Sequence, residues 1–268
     1  MAPESYLTVS WVQVGYAAGF LAVAIVVSFF LRLGVEGGIV LGGVRTFLQL
    51  LLLGYVLDYV FAVENAWLTS LIFFALIVAG AANAYFIASP RDARTFWIFL
   101  LVLTGVFVLI ALPIGKWIIA AKPWYHPQYI IPFGGMLIGN AVTAGLLAQR
   151  SLHKSLADNR LVVEAKLALG ASSLKAAYVE LTDAVKTALV PTITSMMMVG
   201  LVHIPGIFGG QVLAGVPAVE AAKYQTVVMY MLAAGASLTA MAVTFLRLRE
   251  FFTARHQLRY DKLTGELP

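Results

Sequence analysis

The sequence predicts an all-α, polytopic membrane protein with seven transmembrane helices, its N-terminus outside and its C-terminus cytoplasmic. Three observations predict this. Of 268 residues, 61% are hydrophobic and only 12% charged, about half the charged share of an ordinary soluble domain. The mean hydropathy is +0.89, and no soluble core of this size could hide so many apolar side chains. The apolar residues gather into runs of about 20, the length that crosses a bilayer as helix. Composition therefore excludes a cytosolic enzyme, a disordered chain and a disulfide-stapled secreted module. The chain has no cysteine, so thiol catalysis, thiolate metal sites and disulfides are excluded as well.

The spans follow in order. The first is 11–31, Trp11 to Leu31, stopped by Arg32. The flank Met1 to Ser10 has no basic residue, and the run is too long for the apolar part of a signal peptide, so it reads as a permanent span. The second is 36–60, within Gly34 to Val60. The third is 67–88, the fourth 96–121, the fifth 128–148, the sixth 191–216 and the seventh 221–246. The whole of 1–268 is expected to be one transmembrane domain, with the amphipathic stretch 151–190 as a cytoplasmic segment within it.

Basic residues set the orientation. One set of loops and the tail hold Arg32, Arg91, Arg94, Arg150, Lys154, Arg160, Lys166, Lys175, Lys186, Arg247, Arg249, Arg255, Arg259 and Lys262, which is 14 of the 18 basic residues. The other side holds Lys116, Lys122 and Lys223, and Arg45 falls inside the second run. Seven alternating spans satisfy this bias with the long loop and tail inside. Six spans would force a basic cluster outside. Loops between adjacent spans are short, and Gly115-Lys116 is followed by Trp117 rather than Ser or Thr, so there is no phosphate-binding loop.

Polar residues within the runs are the candidates for a transport pathway. Arg45 sits either deep in the second span, where an arginine is costly, or near its cytoplasmic end, with its side chain reaching the phosphates. Gly34, Gly38, Gly42, Arg45 and Gln49 share one helical stripe, and small residues at that spacing admit a neighbouring helix. In the fifth span, Gly135 and Gly139 form a second such pair, and Asn140 needs a hydrogen-bond partner. The sixth span is the least regular: His203-Ile204-Pro205-Gly206, then Gly209-Gly210-Gln211. A broken helix survives in a bilayer only where protein or water satisfies its backbone, and such breaks recur at transport sites. His203 reads as a hydrogen-bonded residue beside a proline kink or as a pathway ligand. Met196, Met197 and Met198 cannot share one face, which favours packing. Glu36, Asp58, Glu64 and Glu220 lie near span ends, so no tight metal cage is expected, with His203 the one candidate ligand. No nucleophile, base and acid set falls within the spans, so the chain is not expected to be an enzyme.

The soluble segment reads as helix, break, helix. The first helix is expected from about Ser155 to Leu169. Gly170 stands where a C-terminal cap belongs. Ser172 is the expected N-cap of a second helix that runs toward Leu189 and stops before Pro191. Between them lies Glu164-Ala165-Lys166-Leu167-Ala168-Leu169-Gly170-Ala171-Ser172.

These residues carry a resemblance. ABC-transporter permeases have a cytoplasmic coupling motif E-A-A-x-x-x-G, and Glu164, Ala165 and Gly170 match it, with Lys166 at the third place. Pro191 follows Gly170 at a distance that departs from the importers' I-x-L-P. Along most of its length the chain resembles the Fet-type (YbbM-like) permeases, the bacterial iron-export membrane subunits, related to plant aluminium-tolerance permeases. The matching stretches are Arg45 with Gln49, Gly54 to Leu57, Gly135-Met136 with Gly139 to Ala141, and Leu167 to Ala171. Others are Leu189 to Thr192, Gly200 to Val202 with Pro205-Gly206, Ala214-Gly215, Tyr224-Gln225 and Arg255 to Leu258. Ile207-Phe208 departs from the methionines of relatives. The resemblance implies a half-transporter in the bacterial inner membrane. Two permeases would pair with two separate ABC ATPase chains, and nucleic acid would play no part. ATP and Mg would sit on that ATPase, with no cofactor on this chain. Glu164, Ala165, Lys166, Leu169, Gly170, Ala171 and Ser172 would couple to it, and Arg45, Gln49, Asn140, His203, Pro205, Gly206 and Gln225 would line the pathway. The alternative is a carrier or channel that works without ATP. Such a carrier normally needs a coupling-ion site, and intramembrane acids are the usual one.

Overall fold

The structure is a computed structural model, and it describes residues 9–63, 65–88, 92–118, 123 and 125–264. Glu64, Arg91, Lys122 and the last residues of the expected fourth span lie outside the described residues. The described elements are helical: α1 (Trp11–Leu31), α2 (Glu36–Val63), α3 (Ala66–Ile87), α4 (Ala93–Val106), α5 (Pro127–Asp158), α6 (Arg160–Ala168), α7 (Ser173–Ala176), α8 (Tyr178–Met198), α9 (Gly206–Leu213), α10 (Ala218–Leu248) and α11 (Tyr260–Thr264). Contacts divide the chain into two compact units, Met1–Val63 and Glu64–Pro268.

The first unit is a helical hairpin. Ser10 and Gln13 form a reciprocal capping box that starts α1: the Gln13 N–H donates to the Ser10 hydroxyl at 3.3 Å, and the Ser10 N–H to Gln13 Oε1 at 2.7 Å. Arg32 ends α1 in the left-handed conformation, and the Ser28 hydroxyl donates to Glu36 at 2.6 Å across the turn. The expected glycine stripe is corrected here. Gly34 lies in the turn, before α2 begins. The close approach between α1 and α2 is at Gly43, where an added Cβ would meet Leu21 at 3.1 Å, whereas nothing lies within 4 Å of one at Gly38 or Gly42.

The second unit is built on α3, α4, α5 and α10. Its core gathers Ile77, Phe99, Leu103, Leu137, Val228 and Met231, among others. In lipid such a core gains little from expelling water and depends on close packing. Small residues provide it, though not those expected. A Cβ at Gly80 would meet Ile138 at 2.7 Å, and one at Gly145 would meet Phe99 at 2.7 Å and Thr239 at 3.1 Å. Gly134 abuts Phe73, and Gly235 abuts Leu137. Nothing lies within 4 Å of a Cβ at Gly135 or Gly139, so the expected pair is not a helix contact in this chain. Gly145→Val should therefore cost about 2–3 kcal/mol by overpacking α4, α5 and α10. Gly139→Ala on the same helix should be neutral or slightly stabilising. Unfolding of the two variants in a common detergent checks both.

Six helices among the described residues are long and apolar enough to cross a membrane: Trp11–Leu31, Glu36–Val63, Ala66–Ile87, Ala93–Ile118, Pro127–Asp158 and Ala218–Phe251. They correspond to the first five expected runs and the seventh. The fourth continues past Val106 through two π-helical turns, Phe107–Ala111 and Ile114–Ile118, on either side of Pro113, which supplies no N–H to the ladder.

The run 191–216 is not one helix, which corrects the expected sixth span. Its first part is the end of α8, and its last part is the separate α9. The helix expected to stop before Pro191 instead runs through it to Met198. A proline removes one hydrogen bond, and packing against α5 and α10 sustains the helix around it. The other boundaries of the amphipathic segment also move. The fifth span does not end near Ala148 but runs on to Asp158, where Asn159 breaks the backbone before α6. The helix after Ser172 is interrupted at Ala177, between α7 and α8.

Candidate functional site

Two places collect the residues singled out above. The first is the turn between α6 and α7. Leu169 closes α6, and Gly170 follows at φ +88°, a conformation that costs glycine nothing. The Gly170 N–H donates to Leu167 O at 2.9 Å and the Ala171 N–H to Lys166 O at 3.0 Å. That crossed pair is the Schellman arrangement that satisfies a helix end. Ser172 takes the N-cap position of α7, as expected, but its hydroxyl makes no cap bond. Lys166 Nζ reaches across to donate to Ala176 O at 3.2 Å, tying α6 to α7.

The turn presents an apolar knob. Leu169 is 88% exposed, and with Lys166, Gly170, Ala171, Ser172 and Lys175 it frames a shallow hollow. Five of the seven expected coupling residues thus share one surface. Glu164 does not: the Tyr260 hydroxyl donates to its carboxylate, so it faces the tail. Ala165 acts through its backbone, accepting from the Leu169 N–H at 3.1 Å.

The second place is the break between α8 and α9. The Leu201, Val202 and His203 N–H groups all donate to Met198 O, at 3.2, 3.0 and 3.1 Å. Gly200 turns the chain at φ +82°, and its N–H donates to His203 O at 3.0 Å. Pro205 is not a kink within a helix, as expected, but the extended N-cap of α9, with Gly206 as its first residue. Here Met196, His203, Pro205 and Phe208 face Gln225, Met229 and Tyr230 of α10 around a cavity of about 450 Å³. Gln225 is 6% exposed, and its Oε1 has no hydrogen-bond partner. A buried acceptor beside a cavity costs stability when nothing in or around the cavity satisfies it. Met197 is exposed, so the methionine run does split between faces.

The break thus unites His203, Pro205, Gly206 and Gln225. Asn140 lies elsewhere, in a cleft of about 120 Å³ with Thr192 and Ser195 of α8. Arg45 and Gln49 lie one helical turn apart on α2, in the other unit. Met229 and Tyr230 were not anticipated, although Met229 is one turn from Gln225 and helical periodicity points to it. Among the described residues, no group of three or more His, Asp or Glu side chains is placed to hold a metal ion.

A third polar cluster was not anticipated at all. Arg247, 6% exposed in the last turn of α10, pairs with Glu250 at 2.5 Å and Asp92 at 3.4 Å and donates to Thr95. Asp92 is the N-cap of α4, accepting from the Arg94 N–H at 3.0 Å. Burial pushes its carboxyl up, but the Arg94 N–H and the Arg247 charge outweigh that and hold it below the usual carboxylate value.

The model of the uncharacterised protein family UPF0014 matches residues 11–252. The chain belongs to UPF0014. Among its family relatives, the probable iron export permease protein FetB of Escherichia coli is 33% identical over 91% of this chain and 92% of its own. The UPF0014 membrane protein STAR2 of rice is 33% identical over 90% of this chain and 84% of its own. Protein ALUMINUM SENSITIVE 3 of Arabidopsis thaliana is 31% identical over 88% and 85%. The resemblance read from dispersed motifs, to Fet-type permeases and plant aluminium-tolerance proteins, is therefore correct. No solved structure matches. The UPF0014 match takes in both the α6–α7 turn and the α8–α9 break, and it ends at Phe252, where the tail begins.

Proposed function

We propose that this UPF0014 chain is the membrane-spanning subunit of an ATP-driven ABC transporter of the bacterial inner membrane that exports iron or another metal species. The observation that supports it most is the α6–α7 turn. A rigid, Schellman-capped tip with an exposed leucine between two lysines stands at the end of two long helices, α5 and α8. That is the shape of a lever. Two ATPase chains would grip the tips of two permeases, and a push on one tip would pass through α8 to the break at Gly200. The cargo class is supported by a relative named as a probable iron export permease. The chain itself would carry no ATPase chemistry.

On this reading the protein crosses the membrane seven times, with α8, the 199–205 turn and α9 together making the sixth crossing. The tip and tail would then lie in the cytoplasm, where the basic residues concentrate. The cavity at the break would be the pathway, with His203 and the Gln225 amide oxygen as its polar contacts. Cargo would pass weakly held, because one imidazole and one amide do not make a tight cage.

The test is ATP hydrolysis by the co-purified ATPase in liposomes, with and without this chain, across ferrous iron, ferric chelates, other metals and nucleotide sugars. Stimulation by a metal species supports the assignment. Failure of any ATPase to associate, or ATP-independent movement of substrate by this chain alone, overturns it in favour of a carrier. Gln225→Leu adds a sharper arm. Removing an unpartnered buried oxygen should leave stability unchanged or raise it, while transport falls about tenfold. Unchanged transport would remove Gln225 from the pathway.

A further inference from the structure

The tail beyond α10 is built into the coupling tip. After the single 3₁₀ turn Arg249–Phe251, the chain forms a tight hairpin in which Phe252 bridges Leu258. The Thr253 N–H donates to Gln257 O at 2.8 Å, and the Arg259 N–H to Phe251 O at 2.8 Å. Phe252, Leu258 and Leu263 enter a core with Leu156 of α5, Val163 of α6 and Ala176 of α7. His153 Nε2 and Lys262 O, 3.2 Å apart, fasten the hairpin to α5 as well.

Two side chains of the hairpin bond to the helices on either side of the tip. The Tyr260 hydroxyl donates to Glu164 of α6, and the Arg160 guanidinium lies 5.9 Å from the Tyr260 ring centroid. His256 reaches α7: its Nδ1 lies 3.3 Å from the Ser173 N–H and 2.7 Å from the Ser173 hydroxyl. The Ser172 hydroxyl does not cap α7, so this imidazole provides the acceptor the first turn of a helix requires. His256 stands at φ +58° to do so, a conformation uncommon outside glycine.

We propose that the hairpin 252–264 is a clamp that positions the coupling tip, with Tyr260 as a fixed pin on α6 and His256 as a pH-sensitive latch on α7. The proposal rests on the reading of the tip as the coupling element. The backbone bond of the latch is one-directional, whereas the hydroxyl contact can run either way. A backbone N–H can only donate, so Nδ1 must present its lone pair and the ring must be neutral, with its hydrogen on Nε2. Protonation places a hydrogen on Nδ1, which turns the acceptor into a donor opposed to the Ser173 N–H and leaves only the Ser173 hydroxyl, which can accept, as its partner on α7. The charged group sharing the hollow with His256 is Arg249, whose guanidinium lies over the Phe245 ring, with the Ser172, Ser173 and Thr253 hydroxyls around it. Arg255 adjoins it in the hairpin. Protonation should therefore free the Ser173 N–H at the start of α7 while the apolar core and the Tyr260 pin hold.

The test compares hydrogen exchange in α7 with ATP hydrolysis, using the full chain in nanodiscs with its ATPase, between about pH 8 and about pH 5. His256→Asn keeps an oxygen acceptor near the Nδ1 position and tolerates the left-handed backbone, but it cannot titrate. His256→Gly fits the backbone and removes the acceptor. After correction for intrinsic exchange, the wild type should lose protection at α7 about fivefold on acidification, the size of one net hydrogen bond. The asparagine variant should stay protected at both pH values, and the glycine variant should exchange fast at both. Tyr260→Phe should loosen α6 at every pH. A wild type that tracks the asparagine variant through the whole range overturns the latch, even if the glycine variant fails to fold. The expected exchange pattern with unaltered ATP hydrolysis would uphold the clamp and overturn the assignment of the tip as the coupling element.

Discussion

Gly170→Pro is expected to lower stimulated ATP hydrolysis by about tenfold or more while the membrane core unfolds at its usual temperature. Gly170 holds φ +88° and donates its N–H to Leu167 O at 2.9 Å. Proline fixes φ near −65° and has no N–H, so both requirements fail together, at a local cost of roughly 3 kcal/mol. That cost exceeds what a turn of this size can absorb, and the Leu169 knob would be displaced from between its lysines. The core of α3, α4, α5 and α10 includes no residue of the turn, so its stability should not move. Gly170→Asn, which tolerates the left-handed conformation, should retain most of the stimulation. Parallel hydrolysis and thermal-unfolding measurements on the two variants check this. Full stimulation by the proline variant would mean the turn does not transmit the ATPase's motion.

Arg247→Met is expected to be the most destabilising single change where α10 meets the start of α4, by about 3–5 kcal/mol, because it strands two partly buried carboxylates. In the wild type, Glu250 at 2.5 Å and Asp92 at 3.4 Å share one guanidinium, with Thr95 as a third acceptor. The cluster joins the start of α4 to the end of α10. The sign of its pH dependence follows from Asp92. Its carboxyl is held below the ordinary value in the folded chain, so its contribution is complete above the ordinary carboxylate range and is lost as pH falls through the lower folded value. The wild type should tolerate mild acid at this joint. Without Arg247, the burial that opposes ionisation of Asp92 is no longer offset by the guanidinium. The variant's deficit against wild type should then be largest near neutral pH and shrink in acid, as Asp92 protonates. Unfolding in detergent at two pH values measures it. A variant as stable as the parent would show that the cluster is solvated rather than structural.

Much of the fold could be read directly from the residues. Six of the seven expected runs are long apolar helices, because in a bilayer an apolar run of sufficient length has one way to satisfy its backbone. The Gly170 turn was legible for a similar reason: a glycine between two amphipathic stretches has few roles. The irregularity of 191–216 was visible in its glycines and Pro205. Its form was not, because a kink and a full break use the same residues, and the choice depends on what collects the freed N–H groups. Here Met198 O collects three of them.

The glycine contacts show where sequence reasoning stops. Gly135 and Gly139 have the spacing of a helix–helix seam, yet the close approaches are at Gly134 and Gly145. One position around a helix turns the face by about 100°, and spacing does not record which face meets a neighbour. The same holds for charge. Arg247 counts equally well as a topology signal or as the hub of a buried cluster, and only the placement of Asp92 beside it decides.

The sequence by itself determined the solvent, the helical class, the family and the location of the Gly170 turn, because composition and local periodicity are properties of the chain alone. Tertiary structure decided which glycines are contacts, which polar groups share a cavity, and that the tail's His256 and Tyr260 hold a turn more than eighty residues before them. Those are pairings between distant segments, and no local pattern encodes which segment a side chain will meet.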